Sequence, residues 1–201
     1  MKRDAKFRKP RTIFAVRGPY TRHRCLELGI ECPEIFGDPG ILLPHFLALD
    51  EEPVCEIGVV PHFVDYEDAV RLFSFDPSVR VINVLDEMSA VVKRIVECRA
   101  IISSSLHGII VANAFGRPAL RALFSDRIKG DGVKYLDYSH SVSPEYHINS
   151  QRITDTEDAK MAIRRLQSAE PPPSLLELQR KLIAACPFAV AEYVPMGLRP
   201  N

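Results

Sequence analysis

The sequence predicts an α/β fold built on a parallel, Rossmann-like sheet, and two observations carry that prediction. Short apolar runs at residues 55–61, 79–85, 100–103 and 118–124 are separated by segments with helical apolar spacing at 66–73, 89–98 and 107–115. Strands and helices alternating at this interval fit parallel strands joined by right-handed crossovers. The second observation is bulk: 201 residues, 46% of them apolar and 26% charged, can bury a core without disulfides or metal.

Taken in order, Thr12-Ile13-Phe14-Ala15-Val16 is expected as a short buried strand leading into Arg17-Gly18-Pro19. Pro19 has no N–H to donate and suits a first helical turn, so a helix is expected over 21–28, closed by Gly29. Gly37-Asp38-Pro39-Gly40 is turn chemistry, and 48–53 reads as a polar linker. The regular alternation starts at Val54. Ser89 is the expected cap of the helix that runs to Cys98, with Val91, Val92, Ile95 and Val96 as its apolar face. Gly116 ends the next helix. Beyond the fourth strand, 125–150 is rich in Gly, Asp, Ser and His and reads as a long loop region. An amphipathic helix is expected over 155–169, a break at Pro171-Pro172-Pro173, and a final helix capped by Ser174 and running to Ala185, before a tail of about a dozen residues. The expected organisation is 1–53 as the end of a preceding domain with its linker, 54–150 as a Rossmann-like domain, and 151–201 as C-terminal helices and tail.

Charge narrows the partners. Lys and Arg number 26 and Asp and Glu 26, so the chain lacks the basic excess of a general nucleic-acid binder. The local exception is Lys2, Arg3, Lys6, Arg8, Lys9 and Arg11, which reads either as a solvated tail or as a contact for phosphate or a membrane surface. The five cysteines are dispersed, with no C-x-x-C pair, which suits a reducing compartment. With no N-terminal apolar run and no 18-residue apolar segment, the expectation is cytoplasmic. No metal-ligand spacing, P-loop or nucleophile elbow appears, so no metal is expected.

The densest chemistry lies at Ser103-Ser104-Ser105-Leu106-His107-Gly108, where an apolar strand ends and a helix begins. In parallel α/β sheets the ligand crevice lies beyond the carboxyl ends of the strands. The following helix offers N–H groups and the positive end of its dipole, serines add donors, and His107 brings an imidazole, the side chain most used as a proton carrier. Two readings stay open from the residues alone: an anion site with His107 as acid–base group, or serines capping a helix beside a structural histidine. Arg17 ends a strand and is either a grip for carboxylate or phosphate or a surface arginine. His62 and Asp65 follow the strand at 55–61 and either line the same crevice or stabilise a turn and cap a helix. Arg127, Lys129 and Lys134 lie beyond the fourth strand and either neutralise a phosphate or form a solvated loop.

Read as an ordered set, Ala15-Val16-Arg17-Gly18-Pro19-Tyr20-Thr21, Gly37-Asp38-Pro39-Gly40-Ile41-Leu42-Leu43, Ile57-Gly58-Val59-Val60-Pro61-His62-Phe63-Val64-Asp65 and Ser103-Ser104-Ser105-Leu106-His107-Gly108-Ile109-Ile110 resemble the polysaccharide pyruvyl transferases. Asp131-Gly132-Val133-Lys134-Tyr135-Leu136-Asp137-Tyr138 resembles a further segment of the exopolysaccharide type, so the resemblance runs from about Thr12 to Tyr138. It implies the C-terminal half of a GT-B-like fold, with most of the first domain missing. It implies transfer of pyruvate from phosphoenolpyruvate onto two hydroxyls of a sugar or lipid-linked oligosaccharide as a ketal, in exopolysaccharide or cell-surface glycan synthesis, with no cofactor beyond the donor. By this resemblance His107 is the acid–base residue, and Arg17, Ser105, Leu106, Gly108, Arg127, Lys134 and His62 bind substrate. It also leaves room for peripheral association with the inner face of a membrane. Two alternatives stand beside it: a non-catalytic remnant that keeps the donor pocket, and a GT-B glycosyltransferase that uses a nucleotide sugar.

Overall fold

A computed structural model describes residues 9–49, 52–128 and 132–188. Lys2, Arg3, Lys6 and Arg8 of the basic run, Lys129 and the end of the expected tail lie outside them. The chain forms two compact units. One draws on 9–42, 132–147 and 173–188, the other on 43–49, 52–128 and 148–172.

The second unit contains a five-stranded, all-parallel sheet. Its strands are β1 (Cys55–Val60), β2 (Val79–Val81), β3 (Cys98–Ser103), β4 (Ala119–Leu123) and β5 (Ser150–Arg152), in the order β2-β1-β3-β4-β5. Alternate residues of the central strands feed opposite faces. Ile57, Val59, Ala100 and Ile102 join Leu72 and Phe73 of one helix and Ala159, Ala162, Ile163 and Leu166 of another. Val60 and Ile101 join Val92, Ile95 and Val96, with Val111 and Ala112, on the other face. A sheet apolar on both faces needs helices on both, which is why β1 and β3 carry few polar residues. The result is a Rossmann-like α/β architecture.

The helices of this unit are short. Tyr66–Phe73 (α3) and Thr156–Gln167 (α7) cover the first face, and Met88–Val96 (α4) and Leu106–Ala114 (α5) cover the second. The four-residue Leu43–Phe46 (α2) precedes them in the chain, after Pro19–Glu27 (α1) of the other unit. From β1 the chain crosses by α3 to β2 on one side. From β3 it crosses by α5 to β4 on the other side. The direction of winding therefore reverses between β1 and β3. Among the described residues no helix is long and apolar enough to cross a membrane.

Several expectations are revised. The strand expected at 12–16 shrinks to one bridge, Val16 to Phe36, and Phe14 is exposed. The expected strand at 79–85 stops at Val81, because Leu85 N–H turns to Asn83 Oδ1 (3.0 Å) and Asp86 N–H to the Asn83 carbonyl (3.2 Å). α4 starts at Met88, so Glu87 and not Ser89 is the cap, accepting the Ala90 N–H at 3.1 Å. The final helix, Leu176–Ala184 (α8), takes Leu175 at its cap position, one residue after Ser174. The expected loop at 125–150 holds a ten-residue helix, Val133–Val142 (α6), and leads into β5.

The first unit is stitched from distant segments. The cap position of α1 is Gly18, which has no side chain to cap it. Asp137 of α6 supplies the cap: its buried carboxylate accepts Thr21 N–H at 3.0 Å and Thr21 Oγ1–H at 2.5 Å. A Cβ on Gly18 would sit 1.9 Å from the Asp137 carbonyl oxygen, so only glycine allows this approach. Gln179 of α8 donates to the Ile41 carbonyl at 2.7 Å.

Candidate active site

In an open parallel sheet, ligands bind beyond the carboxyl ends of the strands, where the winding reverses. Here that point lies between β1 and β3. The chain leaving β1 there is Pro61-His62, and the chain leaving β3 is Ser104 to Gly108. The two are bonded directly: His62 N–H donates to Ser104 Oγ at 2.8 Å.

The turn after β3 is shaped by Ser103. Its buried hydroxyl donates to the Val60 carbonyl (2.6 Å), lies 2.9 Å from the Ser105 carbonyl and accepts the Ser105 N–H (3.0 Å). α5 then starts with Ser105 at its cap position, and the Ser105 side chain makes no capping bond. The first turn of a helix directs N–H groups outward with the positive end of the dipole behind them. This end is therefore suited to an anion. α5 is apolar almost all round, with Leu106, Gly108, Ile109, Ile110, Val111, Ala112 and Asn113 buried. His107 is the exception, exposed on the first turn. Gly108 lets the helix start close to the sheet, since a Cβ there would meet Ser103 Oγ at 2.4 Å and Val60 Cγ1 at 2.9 Å.

Behind this turn sits Asp65, fully buried. It holds the cap position of α3, yet its carboxylate makes no capping bond. It accepts instead from Ser125 Oγ (2.6 Å), Arg127 Nη2 (3.2 Å) and Ser104 Oγ (3.4 Å). Arg127 thus stands at the same edge, in the loop after β4, and also pairs with Asp68. His62 Nδ1 accepts the Val64 N–H at 3.4 Å and its ring lies 4.4 Å from that of Phe63, so His62 serves the turn while lining the edge.

The structure brings His62, Ser105, Leu106, His107, Gly108 and Arg127 to this edge of the second unit. Arg17 and Lys134 belong to the first unit. Arg17 Nε lies 3.3 Å from Asp137 Oδ2, with its side chain 32% exposed. Lys134 lies in the first turn of α6, its ammonium 5.2 Å from the centre of the Tyr135 ring. Sequence reasoning did not single out Asp68, and it named Ser104 and Asp137 only as members of the serine turn and of the 131–138 segment, without their bonds to Asp65 and to α1. The only sign of Asp68 was its place three residues after Asp65 on a helical segment. The first turn of α3 also carries Glu67, and charges there look like ordinary dipole partners.

A shallow cavity of about 220 Å³ lies at the opposite, amino edge, lined by Glu56, Ile57, Arg99 and Pro118 among others. Its charges are spent on each other, Arg99 Nε lying 3.0 Å from Glu56 Oε1. Among the described residues no group of three or more His, Cys, Asp or Glu is placed to hold a metal ion.

The family model for polysaccharide pyruvyl transferases matches residues 2–123. The chain belongs to that family. The match takes in Arg17, His62 and the whole turn from Ser103 to Gly108, and lies in the N-terminal part of this chain. It stops before Arg127 and Lys134, so the likeness at 131–138 falls outside it. An uncharacterized protein of Acanthamoeba polyphaga mimivirus is 35% identical over 130 residues, covering 61% of this chain and 45% of the relative. The matched stretch thus spans less than half the length of that relative. No solved structure matches the chain.

Proposed function

We propose that this chain carries the donor-binding part of a pyruvyl transferase, holding phosphoenolpyruvate at the carboxyl edge of the sheet and passing its pyruvyl group to a sugar as a ketal. One observation carries the reading: an exposed imidazole on the first turn of α5, at the point where the winding of the sheet reverses, in a member of this family. The donor brings a carboxylate and a phosphate. The α5 N-terminus, the Ser105 hydroxyl and Arg127 supply donors and positive charge for them.

The chemistry then needs one proton carrier. His107 protonates the methylene carbon of phosphoenolpyruvate, leaving an oxocarbenium-like centre that a sugar hydroxyl attacks. The carbon–oxygen bond to phosphate breaks, a second hydroxyl closes the ketal, and the hydroxyl protons pass to His107 and to solvent. Leu106 and Gly108 shape the backbone under the ligand, and His62 borders it. Arg17 and Lys134 are donor ligands by resemblance. A cytoplasmic setting, with a lipid-linked or free oligosaccharide acceptor, belongs to the same proposal.

The test is calorimetric titration with phosphoenolpyruvate, paired with phosphate release in the presence of a nitrophenyl or lipid-linked sugar. The reading expects wild type to bind the donor, His107→Ala to bind it within a few-fold yet lose about 10²–10⁴-fold in turnover, and Arg17→Ala to bind more weakly. Undiminished turnover in His107→Ala would remove the acid–base assignment. Wild-type affinity in Arg17→Ala would remove Arg17 from the site.

A further inference from the structure

Three loops meet at one carboxylate. Asp65 follows the loop after β1, Ser104 belongs to the turn after β3, and Ser125 and Arg127 belong to the loop after β4. Asp65 Oδ1 accepts Ser125 Oγ–H and an Arg127 Nη2–H, and Oδ2 lies 3.4 Å from Ser104 Oγ. Ser125 Oγ in turn accepts the Arg127 N–H and Nε–H, each at 3.2 Å. Arg127 is therefore gripped at its backbone, at Nε and at Nη2, although its side chain is 54% exposed.

The same Nη2 also reaches Asp68. Two carboxylates share the Arg127 guanidinium, so while both hold it Arg127 has no surplus positive charge to offer an incoming anion. Asp68 differs from Asp65 in two ways that decide which one can give way. It is 30% exposed where Asp65 is fully buried. It also has a second cation, since Arg71 donates to its other oxygen at 2.9 Å. An ion pair near the surface is weak, whereas breaking a buried one strands a charge. Leaving Arg127, Asp68 falls back on Arg71. Among the described residues Asp65 pairs with no second cation.

From this geometry we infer that Asp65 and Asp68 act on Arg127 in opposite senses: Asp65 is the positioning residue that fixes the guanidinium at the ligand edge, and Asp68 is a built-in competitor that an anionic ligand displaces. The identity of that ligand as phosphoenolpyruvate rests on the proposed function; the exchange itself asks only for a phosphate or carboxylate group. The device sets the affinity of the edge for anions below what a bare arginine would give, and confines capture to ligands that bring enough charge to outcompete Asp68.

The experiment is a titration of wild type, Asp68→Asn, Asp65→Asn, Arg127→Gln and the Asp68→Asn/Arg127→Gln pair, with phosphoenolpyruvate and separately with inorganic phosphate. Circular dichroism and the thermal midpoint check each variant for folding. The inference expects Asp68→Asn to bind about 2- to 5-fold more tightly, the span set by a weak surface pair, and this gain to vanish in the Arg127→Gln background. Asp65→Asn is expected to bind at least about 10-fold more weakly, as a freed arginine no longer presents a fixed charge. Should Asp65→Asn fail to fold, the Asp68 arm still decides. Unchanged or weaker binding by folded Asp68→Asn overturns the inference, as does a gain that survives Arg127→Gln. If phosphate obeys this order and phosphoenolpyruvate binds no better than phosphate, the exchange stands and the donor assignment falls. If phosphoenolpyruvate binds and Asp68→Asn changes nothing, the donor assignment stands and the exchange falls. Binding of neither anion to any variant overturns both.

Discussion

Replacing Gly108 with alanine tests the packing that seats the start of α5. The added Cβ would lie 2.4 Å from Ser103 Oγ, 2.9 Å from Val60 Cγ1 and 3.1 Å from Val60 Cβ. Ser103 Oγ has nowhere to retreat, because it is buried and tied to the Val60 carbonyl, the Ser105 carbonyl and the Ser105 N–H. Either the hydroxyl gives up a bond or the helix start moves off the sheet. Overpacking of this kind costs about 1–3 kcal/mol, and a lost buried hydrogen bond about 1 kcal/mol more. Alanine gains about 1 kcal/mol over glycine inside a helix. The balance is a loss of about 1–3 kcal/mol, or roughly 2–12 °C in thermal midpoint for a chain near 200 residues. Urea unfolding followed by far-ultraviolet circular dichroism measures it, with the slope unchanged. Because the clash is shared with Ser103, Gly108→Ala should cost less in a Ser103→Ala background, by at least about 0.5 kcal/mol. A Gly108→Ala protein as stable as wild type, or a strictly additive double variant, would refute the reasoning.

Asp137→Ala removes the cap of α1 and leaves Arg17 facing an empty corner; a loss of about 2–4 kcal/mol in urea is expected, and a loss under about 0.5 kcal/mol would mean the cap is replaced from elsewhere. Alkylation by iodoacetamide at pH 8 should modify the exposed Cys186 first and Cys98 last, since burial and the neighbouring Cys55 push the Cys98 thiol up; mass mapping of the labelled peptides reads the order, and early labelling of Cys98 would contradict it. Asp158, whose carboxyl is held below its ordinary value of 3.8 by Thr154 N–H and then Thr154 Oγ1–H, contributes stability that is present above that value and lost as pH falls through the lowered one. The gap in thermal midpoint between wild type and Asp158→Asn should therefore be full at pH 7 and close on acidification below about pH 4; a gap that persists at pH 2 would count against it.

Much of the sheet was legible because its signal is local. The helix at 66–73 and the third and fourth strands are found within two residues of their expected bounds, since apolar runs and turn residues alternate there without conflict. The misreadings share a cause. Phe14 sits in an apolar pentapeptide yet is exposed, because the strand partner that such a run needs is reduced to one bridge at Val16. α6 was read as loop because Asp137, Ser139 and Ser141 look polar, whereas all three are buried. Ser139 and Ser141 return their hydroxyls to carbonyls three residues back, and Asp137 is spent on α1. The turn at Ser103 to Gly108 could be placed from sequence because strand, serines and helix are contiguous. The Asp65 hub could not, because its partners lie 39, 60 and 62 positions away. A carboxylate before a helix is ordinarily read as a cap.

The pairing of Thr21 with Asp137 spans 116 positions, and that of Ile41 with Gln179 spans 138. During synthesis at roughly 5–20 residues per second, α1 would wait about 6–23 s for its capping carboxylate to emerge. Its first turn must stay hydrated, or be shielded by something else, throughout that interval. The sheet between these segments draws mainly on contacts nearer in sequence and is free to close first. The unit that begins the chain is thus expected to be among the last parts to fold, and a ribosome-bound chain released from the ribosome through residue 172 but not yet through Gln179 should have its sheet formed and the Ile41 carbonyl still without its partner.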